Sequence, residues 1–272
     1  VITGATRVAA VIGDPVRHSL SPRLHNAAYR TLGLDWVFVA FEVSAGRASA
    51  ALDAARVFGF VGVAVTMPHK RALAGLCDEL TPVASALDSV NTVTVAPDGH
   101  TVGDSTDGDG FLRSLTEAGV HVRDRDALVL GSGGAARAVA HALAGGSAHV
   151  IVAARRTDAA NEAAMLAHGA AIAWHDRADA AAAADVIVNA TPIGMAGDAS
   201  LPLPEHVLHD GTVVVDLVYE PLETPLLAAA RTRGAQTVSG LGMLVHQAAL
   251  QVERWSGQRA PIDAMRAAVT QH

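Results

Sequence analysis

Two groups of residues in this chain have the types and spacing to do chemistry. The first is Gly131-Ser132-Gly133-Gly134-Ala135, which follows the apolar run Asp126-Ala-Leu-Val-Leu130 and opens an alanine-rich stretch. Glycine at a strand's end permits a tight turn and lets backbone approach a phosphate closely. A helix starting near Ala135 would aim free N–H groups and a partial positive charge at that phosphate. A second apolar run, His149 to Ala154, ends in Arg155-Arg156-Thr157. About 20 residues past such glycines, a site for NAD places Asp or Glu on the ribose 2′-hydroxyl. Two guanidinium groups cannot accept that hydrogen bond, but they suit a 2′-phosphate. The pattern points to NADP(H). The bland alternatives are an ordinary strand-to-helix turn and a solvated pair of arginines.

The second group lies earlier. Met67-Pro68-His69-Lys70 follows an apolar strand, with Pro68 suited to a first helical turn. Lys70 then stands at the positive end of a helix dipole, where cations are disfavoured. A residue against its local rule is a functional flag, although a lysine bent into water would satisfy the same spacing. Ser19 sits in a loop past the first strand, at the sheet edge where open α/β folds bind ligands. Ser21 has a sufficient explanation as the N-cap before Pro22. Asp104, Asp107 and Asp109 lie in a small-residue acidic loop, but their spacing lacks the terminal Glu of an EF-hand, so no metal site is expected. Gln247 falls at the border of the apolar face of a late helix.

The elements that must position these residues alternate. Strands are expected at 8–12, 36–41, 60–66, 89–95 and 100–102, with helices over 22–31, from Ser44 to Val57, and after Pro82. A helix from Phe111 leads into the glycine stretch. Further strands are expected at 171–174, 186–189, 213–217 and 236–238, helices at 159–168, 176–184 and from Thr224, and a long helix from Gly240 to Trp255. Asp158 reads as the cap of the helix at 159. Alternation of β and α argues parallel-type sheets.

Composition narrows the class. The chain has 272 residues, half of them hydrophobic, which allows one large or two ordinary domains. Its net charge of -7 and the absence of a basic run argue against nucleic acid. No apolar run reaches the roughly 18 residues of a membrane span, and no leader pattern is visible. The single cysteine, Cys77, reads as a small core residue and fits a cytoplasmic location.

Taken together and in order, the motifs resemble those of shikimate dehydrogenases. Ser19-Leu-Ser21-Pro22, Val65-Thr66-Met-Pro-His-Lys70, Val90-Asn91-Thr92 and Asp104-Ser-Thr-Asp107-Gly108 resemble the substrate motifs. Gly131-Ser-Gly-Gly-Ala135, Asn189-Ala-Thr191-Pro192 and Gly240-Leu-Gly-Met-Leu-Val-His-Gln247 resemble the cofactor and closing motifs. The resemblance implies reversible reduction of 3-dehydroshikimate to shikimate with NADPH. Ser19 and Ser21 would hold the substrate carboxylate. Thr66, Lys70, Asn91, Asp107 and Gln247 would bind the ring hydroxyls and the reacting oxygen, with Lys70 and Asp107 as the catalytic pair. Tyr219 and the loop after Thr191 would line the cleft, with Gly240 near the nicotinamide. Two positions depart from the family pattern: Arg155 stands where Asn is frequent, and Ser105 where Asn is usual.

The resemblance also implies an α/β protein of two domains with a deep cleft between them. Residues 1–107 and 240–272 would bind substrate, and 108–239 would form an NADP-binding Rossmann domain. A quinate/shikimate dehydrogenase of broader use is the near alternative. A non-catalytic binder is the distant one, disfavoured because it has no need of both Lys70 and Asp107. The alanine-rich surfaces permit a homodimer.

Overall fold

The computed structural model describes residues 1–270. The chain divides into two compact units, one made of Val1–Thr106 with the segment from Val245 on, the other of Asp107–Leu244.

The first unit alternates as its sequence pattern requires. In chain order it runs β1 (Arg7–Gly13), α1 (Ser21–Thr31), β2 (Trp36–Glu42), α2 (Ala48–Val57), β3 (Gly62–Val65), α3 (Lys70–Ala74), β4 (Glu79–Leu80), α4 (Pro82–Leu87), β5 (Thr92–Val95) and β6 (Thr101–Asp104). The sheet order is β2-β1-β3-β5-β6-β4. The first three strands are parallel, and β5 joins β3 and β6 antiparallel. The Pro97-Asp98-Gly99 signal makes the β5–β6 hairpin, as its turn chemistry predicts.

The second unit runs α5 (Asp107–Glu117), β7 (Asp126–Leu130), α6 (Gly134–Gly145), β8 (His149–Ala154), α7 (Thr157–Met165), β9 (Ala170–Ala173), α8 (Arg177–Ala183), β10 (Val186–Asn189), β11 (Val213–Asp216), α9 (Pro225–Thr232) and β12 (Gln236–Ser239). Its strands are all parallel in the order β12-β11-β10-β7-β8-β9. Counted from β7, that is the dinucleotide-binding order 3-2-1-4-5-6. Leu128, Leu130, Ile187 and Val188 are buried because helices cover both faces. Each such side chain contributes about 1.5–3 kcal/mol. Small residues let the helices close in: a Cβ on Gly108 of α5 would lie 3.0 Å from the Ala142 Cβ of α6.

Helix α10 (Gly240–Ser256) runs from the second unit into the first, and α11 (Ile262–Thr270) follows. The later half of α10 is tied to the first sheet. The Trp255 indole donates to the Val93 carbonyl (3.2 Å), and Gln251 donates to the Thr92 hydroxyl (3.0 Å). A Cβ on Gly62 would collide with the Trp255 ring at 2.2 Å, so the strand needs glycine there. His25 of α1 is buried and stacks on Phe38 with ring centroids 4.0 Å apart.

Several expected caps fall elsewhere. Ser21 is the first helical residue of α1, not its N-cap; Leu20 precedes it, and no side chain caps the helix. Ser44 lies outside α2, which begins at Ala48. Pro68 precedes α3 across a cis Met67–Pro68 bond. Asp158 lies inside α7 and makes no cap. The acidic loop ends sooner than expected, because Asp107 already begins α5. Thr81 and Thr224 do cap α4 and α9, accepting from Ala84 and Leu227.

Candidate active site

In the first unit the chain reverses its direction of winding between β1 and β3, since β2 lies on one side of β1 and β3 on the other. Ligands of open α/β sheets bind at the carboxyl ends of strands flanking such a switch. Ile12 and Val65 are paired at those ends. Thr66 follows immediately, its amide donating to the Ile12 carbonyl (3.0 Å). Gly13 makes room for it: a Cβ there would stand 2.3 Å from the Thr66 methyl. The Asp14 amide donates to the Met67 carbonyl (2.8 Å), closing the two loops together.

Ser19 and Ser21 belong to the loop leaving β1. The Ser19 hydroxyl oxygen accepts from the Ser21 amide (3.2 Å). That bond accounts for Ser19 locally, and the hydroxyl still carries a hydrogen to donate. His69 is buried and its Nε2 donates to the Val43 carbonyl (2.6 Å), pinning the turn before α3. Lys70, half-buried, is the first residue of α3, and its carbonyl accepts from the Val90 amide (2.9 Å). Next to it, the Asn91 carbonyl accepts from the Val65 amide (2.7 Å). Thr66, Lys70 and Asn91 thus gather at the carboxyl end of β3.

The Asn91 side chain is held from two directions. Its Oδ1 accepts from the Thr92 hydroxyl (2.7 Å) and the Thr106 amide (2.8 Å), and its Nδ2 donates to the Thr106 hydroxyl (3.1 Å). Gln251 supports the same segment, and Gln247 lies one helical turn before it on the same face of α10. Asp104 is occupied by Thr81, the Ser105 amide and Arg254. Asp107 is buried and begins α5 of the second unit.

In the second unit the switch lies between β7 and β10. Gly131 has φ +113°, and a Cβ there would meet the Ala190 carbonyl at 2.9 Å. Ser132 and Gly133 complete the turn; Gly133 is the extended N-cap of α6, whose first residues are Gly134 and Ala135, and no side chain caps the helix. A Cβ on Gly133 would meet nothing within 4 Å, so the N–H end of α6 is open to a phosphate. Arg155 and Arg156 follow β8 and are exposed; Arg156 stands 3.7 Å from Asp158, and Thr157 opens α7. Thr191 follows β10 and points its methyl toward Gly131. Its hydroxyl donates to Asn189 Oδ1 (2.6 Å). Tyr219 is half-buried past β11, and burial, with the charge of Glu220, pushes its phenol pKa up. Gly240 is buried, and a Cβ there would sit 2.3 Å from the Leu217 carbonyl oxygen, so the position needs glycine.

These residues fit NADP. The glycine turn and the α6 terminus would take the pyrophosphate, and the exposed arginines the 2′-phosphate. Sequence reasoning missed Gly13, Gln251 and the buried Asn189–Asp216–Thr224 cluster. A polar residue closing an apolar strand, as in Val213-Val-Val-Asp216, is the signal that could have found the last. Among the described residues, no helix is long and apolar enough to cross a membrane, and no group of three acidic, His or Cys side chains could hold a metal.

Comparison with known proteins accords with this layout. Residues 11–93 match the family model for the shikimate dehydrogenase substrate binding domain, and 240–270 that for the shikimate 5′-dehydrogenase C-terminal domain. Residues 127–219 match a model described as NADP oxidoreductase, coenzyme F420-dependent. A shikimate dehydrogenase (NADP(+)) of Methanopyrus kandleri is 42% identical, over 100% of this chain and 97% of its own. The solved shikimate 5-dehydrogenase of Thermus thermophilus, in complex with NADP(H) and shikimate, is 35% identical with a TM-score of 0.90, covering 96% of this chain and 98% of that one. A quinate dehydrogenase from Corynebacterium glutamicum, in complex with NAD, is 32% identical with a TM-score of 0.91, covering 97% and 98%.

Proposed function

The chain belongs to the shikimate dehydrogenase family, and on that premise we propose that it catalyses the reversible NADPH-dependent reduction of 3-dehydroshikimate to shikimate, a step of chorismate and aromatic amino acid biosynthesis. One observation carries the reading. Relatives named for this reaction match the chain from end to end, through every segment that holds a candidate residue.

In this proposal the two units divide the work. Ser19 and Ser21 hold the substrate carboxylate with hydroxyl donors. Thr66, Asn91 and Gln247 take the ring hydroxyls, since each buried hydroxyl of a polyol needs a partner. Support for this grouping comes from the bonds that gather Thr66, Lys70 and Asn91 at the end of β3. Bound NADPH supplies the hydride. Lys70 stabilises the negative charge that develops on the carbonyl oxygen and delivers a proton to it, while Asp107 orients the lysine and the neighbouring hydroxyl. Thr191 serves the cofactor and Tyr219 the substrate, with Gly240 close to the nicotinamide. The single cysteine supports a cytoplasmic location, and a homodimer is testable by sedimentation velocity.

Initial rates of purified protein with shikimate or quinate, each with NADP⁺ or NAD⁺, test the reading. Turnover of shikimate with NADP⁺ is expected, and its absence would falsify the proposal. The similarity to a quinate dehydrogenase bound to NAD favours a second reading, use of quinate as well. The quinate arms of the same assay decide it. Arg155 and Arg156 argue against NAD in either case.

A further inference from the structure

Beneath the glycine turn lies a cluster of three fully buried polar side chains, Asn189, Asp216 and Thr224, each 0% exposed. We propose that Asp216 is a positioning residue, which couples the Thr191 loop after β10 to the Tyr219 segment after β11 and so sets both walls at once. The inference rests on the functional reading above, in which Thr191 serves the cofactor and Tyr219 the substrate.

The bonds run outward from the carboxylate. Asp216 Oδ1 accepts from Asn189 Nδ2 (2.9 Å) and from the Val218 amide (3.0 Å), and Oδ2 accepts from the Thr224 hydroxyl (2.6 Å). The bond to Val218 fixes the residue immediately before Tyr219. On the other side, the Asn189 amide carries the constraint onward. Its Nδ2 also donates to the Ile193 carbonyl (3.1 Å), and its Oδ1 accepts from both the Thr191 amide (3.1 Å) and hydroxyl (2.6 Å). The Thr191 hydroxyl in turn accepts from the Ile193 amide (3.2 Å). A second link joins the same segments: the Ala196 amide donates to the Glu220 carbonyl (3.3 Å).

Charge gives the cluster its single arrangement. An ionised carboxylate only accepts, so it faces the NH₂ side of Asn189 and excludes the flipped amide. Asn189 Oδ1 is thereby committed to Thr191. Burial pushes the Asp216 carboxyl pKa up, whereas its three donors hold it down. A buried carboxylate is costly, and an apolar residue would end an apolar strand without that cost. What the carboxylate adds is orientation at two loops.

Steady-state kinetics and calorimetric titration of the full chain with NADP⁺ test this, using Asp216→Asn, Thr224→Val and Thr224→Ser. Asp216→Asn sets an NH₂ group against either the Thr224 hydroxyl or the Asn189 and Val218 N–H groups, so at least one bond of the cluster is reversed or lost. It is expected to raise the KM values for shikimate and NADP⁺ together by about fivefold or more, and the calorimetric Kd with them. Thr224→Val removes one donor and should raise both KM values by less. Thr224→Ser keeps the donor and should restore them. A folded Asp216→Asn protein with both KM values within about twofold of the parent overturns the inference. So does a Thr224→Val effect that appears only in thermal stability, with KM unchanged. If the parent does not turn over shikimate, the functional reading fails instead. The calorimetric arm still decides the inference, because an unchanged Kd for NADP⁺ in Asp216→Asn rejects it without reference to turnover.

Discussion

Lys70 is where chemistry and local rules conflict most openly. It opens a helix with no acidic residue in the first turn. If its role is to stabilise and protonate the reacting oxygen, Lys70→Ala should lower kcat far more than about tenfold, roughly 1.4 kcal/mol of barrier, while leaving NADP⁺ binding nearly unchanged. A smaller loss in a single-turnover assay removes that role. Arg155 and Arg156 make a contrasting claim about binding alone. Replacing both with Ala should raise the KM for NADP⁺ and leave that for NAD⁺ almost unmoved; equal changes would exclude the 2′-phosphate assignment. Lys70 and the arginines were legible in the sequence because each breaks a rule for its position. Asn91 and Gln247 were not, since a polar residue after a strand or on a helix border looks like ordinary surface. They came from the resemblance, and Asn91 proved to be buried. His25 hid in the opposite way. Burial lowers its imidazole pKa from 6.5 to about 4. The unfolded chain therefore takes up this proton first as pH falls. The stability is complete above pH 6.5 and is lost down to about pH 4, at a cost of up to roughly 3 kcal/mol. Urea unfolding at pH 7 and pH 4.5 should show a smaller pH dependence in His25→Gln than in the parent.

At the scale of elements, the parallel strands were the easiest to read. Val186-Ile-Val and Val213-Val-Val are continuous apolar runs because helices cover both faces of the sheet. Helix starts were harder. Ser21, Ser44 and Asp158 all have capping chemistry, yet Leu20, Arg47 and Arg156 hold the cap positions. Loop geometry set by neighbouring strands overrides the local preference, as when Ser19 takes the Ser21 amide. The two-residue strand β4 had no periodicity to reveal it. Glycines are the sharpest element-level test. Gly131→Ala forces a side chain to φ +113° and against the Ala190 carbonyl. It should weaken NADP⁺ binding by tenfold or more, about 1.4 kcal/mol, with the fold retained by circular dichroism. Unaltered affinity would mean that the turn does not carry the pyrophosphate. Gly133→Ala, which meets nothing within 4 Å, is the matched control for fold.

For the molecule as a whole, the division into units has its own test. The second unit is continuous in sequence, from Asp107 to Leu244. Expressed alone, it should fold cooperatively and bind a 2′-phosphorylated adenosine nucleotide, as judged by thermal melting with and without ligand. The first unit is not continuous: its sheet depends on α10, through Trp255 over Gly62 and the Gln251 bonds to Thr92 and Asn91. A chain stopped after Leu244 should therefore keep the nucleotide-binding transition and lose the other. That dependence orders the birth of the protein. When β1 to β6 leave the ribosome, α1 to α4 are made, but α10, which adds Trp255 and Gln251 to the same sheet, is not. At about 5–20 residues per second, translation of the intervening unit takes on the order of ten seconds. Throughout that interval Gly62 and the Val93 carbonyl lack the Trp255 ring, and chaperones have a window in which to engage the nascent sheet. The nucleotide-binding half can be finished before the half that meets the substrate, so its ligand could be captured by a chain still under construction.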